Sequence, residues 1–70
     1  MAFADSARRS LRLATAATDA GAWIDALRRL HNLAISFGAV RLAALAREAE
    51  LRPVGDVATL RQLDRAMTRL

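Results

Sequence analysis

A chain of 70 residues, 54% of them hydrophobic, makes a single domain (1–70) near the lower limit of independent folding, since so short a chain buries only about 60% of its unfolded surface. The apolar residues are mostly Ala and Leu, with Phe3, Trp23 and Phe37 as the aromatics, a balance that favours closely packed helices over strands. Without cysteine there are no disulfides or thiolate metal sites, and the one histidine and seven carboxylates are too scattered to suggest a metal or another cofactor.

The first helix is expected over Phe3 to Asp19, where Ala4, Ala7, Leu11, Ala14 and Thr18 recur at spacings of three and four and Asp5 falls in the first turn. Its alanine stripe lets another helix come close but buries little area. Asp19-Ala20-Gly21 interrupts the pattern, with Gly21 suited to ending a helix.

The second helix is expected from Ala22 to Phe37. At about 100° per residue, Trp23, Ala26, Leu27, Leu30, Leu33, Ala34 and Phe37 gather on one face, and Asp25, Arg29, Asn32 and Ser36 line the opposite one. Ile24, Arg28, His31 and Ile35 form a mixed stripe along the edge of the buried face. Arg29 is placed to pair with Asp25 one turn earlier, and Trp23 is placed to close the end of the core.

Gly38 breaks the helix, and Ala39 to Leu51 form a third one with Leu42, Ala43, Leu45, Ala46 and Ala49 inward. Arg52-Pro53-Val54-Gly55 reads as a turn. Asp56 then caps a fourth helix reaching Leu70, with Val57, Leu60, Leu63, Ala66 or Met67, and Leu70 on its inner face. Four helices joined by short connections predict an all-α fold, an antiparallel up-down four-helix bundle.

The net charge of +4 comes from eleven arginines and no lysine, and these arginines are spread along the whole chain. Spread charge of this kind reads as a solvated surface, which permits an acidic partner. No apolar run approaches the roughly 20 residues of a membrane span, and the N-terminus lacks the basic-then-apolar order of a signal peptide. A cytoplasmic protein without membrane contact is therefore expected.

Catalytic templates are missing: there is no Gly-rich phosphate loop, nucleophile elbow or HExxH, and no carboxylate lies three or four residues from His31. No enzymatic activity is expected. The segment Arg41 to Arg65 can be parsed as a helix-turn-helix with Arg61, Gln62 and Arg65 on its second helix, but Asp64 on that helix would repel phosphates, so nucleic acid is the disfavoured partner.

From Leu27 onward the chain resembles the histidine phosphotransfer (HPt) domains of bacterial two-component phosphorelays. Their signature is a helix carrying His-x-Leu-Lys-Gly-x-Ala, a later Gly-Ala pair, and a following Leu-Ala-x-Leu-Ala helix that ends in an acidic residue. Leu30, Ala34, Phe37, Gly38 and Ala39 fall on the family's packing and Gly-Ala positions without a gap, and Leu42-Ala43, Leu45-Ala46 and Glu50 continue the match. The Asp19 to Trp23 segment and the Asp56-capped last helix also look like that family, whose fold is a four-helix up-down bundle. The same alignment puts Arg28 at the phosphoacceptor position, His31 at the family lysine and Asn32 at the family glycine. An arginine, permanently protonated and without a free lone pair, does not accept a phosphoryl group.

The resemblance implies a two-component signalling module that acts by protein–protein contact and is not itself phosphorylated. Its partner would be a response-regulator receiver domain, a sensor kinase or another signalling protein, and a homodimer through the alanine-rich faces stays open. Arg28, His31, Asn32 and Ile35 form the expected docking face. A shifted alignment, with three residues deleted before Gly38, makes His31 the candidate phosphoacceptor; Ala34 and Ile35 then stand at the family's lysine and glycine positions. Whether the chain acts alone or as the terminal domain of a larger kinase also stays open.

Overall fold

The structure, a computed structural model, describes residues 3–69. It contains four helices, α1 (Phe3–Ala16), α2 (Ala20–Ser36), α3 (Val40–Ala49) and α4 (Val57–Thr68), and no strand among the described residues. The molecule measures 28 × 20 × 16 Å, and α2, with 17 residues at about 1.5 Å each, is nearly as long as its longest dimension.

Local chemistry explains each boundary. Asp19 is extended and accepts a hydrogen bond from the Ala22 N–H at 2.8 Å, which makes it the N-cap of α2. At the other end of α2, Gly38 takes a positive φ of 74°. Its N–H donates to Ile35 O at 3.1 Å, while the Ala39 N–H reaches back to Ala34 O at 2.8 Å. These two bonds are the Schellman arrangement, which requires a left-handed residue where only glycine is unstrained. Gly55 (φ 75°) plays the equivalent part in the tight turn closed by the Asp56 N–H on Pro53 O. Asp56 caps α4 by accepting from both the N–H and the hydroxyl of Thr59.

The core is built from small residues around a few large ones. Trp23, Leu27, Leu30, Leu42 and Leu63 are its largest fully buried side chains, and Ala7, Ala14, Ala26, Ala34, Ala43, Ala46 and Ala49 fill the spaces between the helices. α1 packs on α2 and α4, and α3 packs on α2 and α4. The diagonal pairs α1/α3 and α2/α4 make no backbone-range contact among the described residues. The Trp23 Nε1–H, buried with its ring, donates to Ala49 O at 3.0 Å and ties the start of α2 to the end of α3.

Several expectations are corrected. α1 stops at Ala16, not Asp19, because Asp19 serves the next helix as its cap; Gly21 consequently sits inside the first turn of α2 and does not end α1. A Cβ at Gly21 would lie 3.2 Å from the Asp19 carboxylate, so the small residue leaves room for the cap. Phe37 is 62% exposed where a core position was expected, because the helix ends just before it; its ring instead stacks on Phe3 with centroids 4.6 Å apart. Ala4, Thr18 and Val57 are exposed, and Leu33 is only half-buried. The Asp25–Arg29 pair is not among the ion pairs of the described residues, which are Arg8–Asp64 and Arg28–Glu50. α3 is shorter than expected, with Glu50 as its C-cap and Leu51 beyond it, 89% exposed. Leu70 lies outside the described residues.

Candidate functional site

The flank of α2 that carries Ile24, Arg28, His31 and Ile35 lies along α3. Leu27, Leu30 and Ala34, each completely buried, fix the rotation of the helix, so the residues one step round from them emerge at the α2/α3 seam. Arg28 is exposed and its Nε lies 3.4 Å from Glu50 Oε1. Glu50 is the C-cap of α3, at the negative pole of that helix's dipole, so the guanidinium meets two favourable fields.

His31 is half-buried, with Nδ1 2.9 Å from Ala43 O. A carbonyl only accepts, so Nδ1 carries the proton in this bond; in the neutral ring Nε2 is then the nitrogen with the free lone pair. The bond also fixes the ring plane against α3. Ile35, 58% exposed, stands one turn further along the same flank.

Asn32 points another way. It borders a shallow groove of about 490 Å³ on the α1 side of α2, together with Arg9, Arg29 and Ser36. The structure therefore aligns Arg28, His31 and Ile35 along one seam and leaves Asn32 off it, over the α1 groove. Two participants were missed by sequence reasoning: Glu50, read as the acidic residue ending the third helix and not as a partner of Arg28, and the backbone carbonyl of Ala43. The order of the helices and the acidic end of α3 hinted at the first; no sequence signal marks the second.

Among the described residues, no three His, Cys, Asp or Glu side chains come together as a metal site would need. No described helix is long and apolar enough to cross a membrane. No protein-family model, curated protein or solved structure matches the chain. What the fold and this seam define is a small all-α protein with a basic and aliphatic strip along its longest helix.

Proposed function

We propose that the chain is an HPt-like signalling module of the cytoplasm that works by binding a receiver domain or sensor kinase of a two-component pathway, without carrying the phosphoryl group itself. The observation that carries this reading is the α2/α3 seam. Where the family resemblance places the phosphoacceptor, the chain has an exposed arginine already engaged with Glu50, and two turns along the same flank an aliphatic side chain, Ile35, that the core does not use. An exposed isoleucine with a cation two turns away on the same flank supplies what a protein interface needs, an apolar anchor with a charged rim.

The up-down antiparallel arrangement belongs to the same reading. It is supported by cross-helix pairs whose numbers rise on one helix as they fall on the next: Trp23 with Ala49 and His31 with Ala43 between α2 and α3. Phe3 against Phe37 sets the start of α1 beside the end of α2, as the same arrangement requires. The missing diagonal contacts fit a ring of four neighbours.

A second reading, phosphotransfer through His31, is favoured by one observation: the Ala43 carbonyl holds the ring in the tautomer whose Nε2 lone pair is free. The helix-turn-helix reading has less behind it, since residues 50–56 form the connection between α3 and α4, longer than the roughly three- to four-residue turn of that motif.

The test is to incubate the chain with receiver domains labelled on their phosphoaspartate and to measure both capture and transfer. The proposal expects capture without acid-labile label on the chain, with capture weakened by Ile35→Asp while the helical signal is unchanged. Label that appears on the wild type and disappears in His31→Ala would replace it with the second reading.

A further inference from the structure

A second surface, away from the α2 seam, has features the proposed function does not use. Between α3 and α4 lies an open trough of about 480 Å³. Leu42, Leu45 and Ala66 form its apolar floor, while Arg41, Arg65 and Arg69 stand exposed on its rim. No Asp or Glu lines it. None of the three arginines is ion-paired with a carboxylate of the described residues; Asp64, the acidic residue of α4, is turned away to Arg8 of α1 at 3.6 Å. The trough thus concentrates uncompensated positive charge around an apolar strip. We propose that it is a docking site for an acidic amphipathic helix of a partner protein, separate from the face on α2.

The form of the occupant follows from the groove. The described residues contain no strand, so there is no sheet edge to which an extended peptide could add, and no aromatic side chain lines the trough to seat a proline-rich segment; its aliphatic floor suits a helix laid in a groove. The lining runs from Ala39 to Leu45 on one wall and from Gln62 to Arg69 on the other, about 9–10 Å at ~1.5 Å per residue, so the trough accommodates roughly two turns of helix. An occupant presenting leucine-type side chains at i, i+3 and i+7 would fill the floor, with carboxylates on either side meeting the arginine forks.

A second copy of this chain does not suit the site. Each of its four helices carries more arginine than carboxylate, so none offers an acidic face to the rim. Duplex nucleic acid would satisfy the arginines but leave the apolar floor unused, and its backbone would track charge over a longer path.

The test uses the full chain and a fluorescein-labelled synthetic helix of about 15 residues, with a leucine stripe flanked by glutamates, followed by anisotropy. Two control peptides carry lysine for glutamate, or the same composition with the stripe scrambled. Saturable binding of the acidic helix alone is expected, with amide shifts in a ¹⁵N-labelled chain confined to α3 and α4. Arg65→Glu with Arg69→Glu should weaken it by about tenfold or more, whereas Arg9→Glu with Arg12→Glu, which changes net charge equally on α1, should leave it intact. All four positions are exposed, and the circular dichroism of each variant reports its fold. Equal loss in both double variants, indifference to the scrambled stripe, absence of binding by the acidic helix, or displacement of that helix by random duplex DNA would each overturn the proposal.

Discussion

Replacing Trp23 separates the two contributions of the largest buried side chain. In Trp23→Phe the ring still fills most of the site, but the hydrogen bond from Nε1 to Ala49 O is lost. That carbonyl is not orphaned, because it also accepts from the Arg52 N–H at 3.0 Å. The cost should therefore be that of an ordinary hydrogen bond, about 0.5–1.5 kcal/mol, plus about 0.7 kcal/mol for a residual cavity of roughly 30 Å³ at ~24 cal/mol per Å³. Trp23→Ala removes the packing as well and should cost about 3–5 kcal/mol. A domain of this size holds roughly 0.05–0.15 kcal/mol per residue, or about 4–10 kcal/mol in all. The Phe variant should therefore stay folded with its melting temperature lowered by about 5–15 °C, while the Ala variant sits near the edge of folding. Trp23 is the single tryptophan, so unfolding of the variants must be followed by far-UV circular dichroism with urea or heat. A Phe variant as stable as the wild type, or as damaged as the Ala variant, would refute the reasoning about the α2–α3 tie.

The caps and turns give further expectations. Asp56→Ala removes the acceptor for the Thr59 N–H and hydroxyl and should cost about 1 kcal/mol in a urea titration, with Asp19→Ala comparable through the loss of its bond from Ala22. Gly38→Ala meets open space but must hold a φ of 74°, so it should destabilise by about 1–2 kcal/mol, visible as a lowered melting temperature with unchanged helical content at 25 °C. Arg28→Ala should change stability by no more than about 0.5 kcal/mol, because the pair with Glu50 is exposed on the arginine side; a larger loss in the same titration would mean that the seam is structural and not a free surface.

Much of the architecture was legible because the apolar spacing is regular. Leu27, Leu30 and Ala34 on α2, and Leu42, Ala43, Ala46 and Ala49 on α3, are buried where a period near 3.6 puts them. The breaks proved harder where two signals compete. Asp19 and Gly21 together read as the end of one helix, yet a carboxylate that can accept from the N–H three residues on starts a helix more strongly than a glycine ends one. Phe37 looked like core by spacing, but spacing says nothing of where the helix stops, and the Schellman turn at Gly38 leaves the ring at the end of the bundle against Phe3. Ser10 and Thr59 are buried although polar, which a pattern counted in apolar residues passes over.

The candidate site divides in the same way. Exposure of Arg28, Asn32 and Ile35 follows from their helix positions, and the structure places them so. The contacts that give the seam its character, Arg28 with Glu50 and His31 with Ala43, join residues far apart in the chain and depend on how α3 lies against α2. Helix periodicity fixes direction around one axis and carries no information about the register between two.

The proposed docking role is tested most directly by photocrosslinking from the seam. A photoreactive amino acid at position 35, in the otherwise unchanged chain, would be irradiated in extract of the source cell and its adducts identified by mass spectrometry, with the same group at exposed position 12 on α1 as the reference. The account predicts adducts from position 35 with proteins bearing receiver or sensor-kinase domains, and their absence from position 12. Identical adducts from both positions, or adducts from position 35 with proteins of no two-component class, would contradict it.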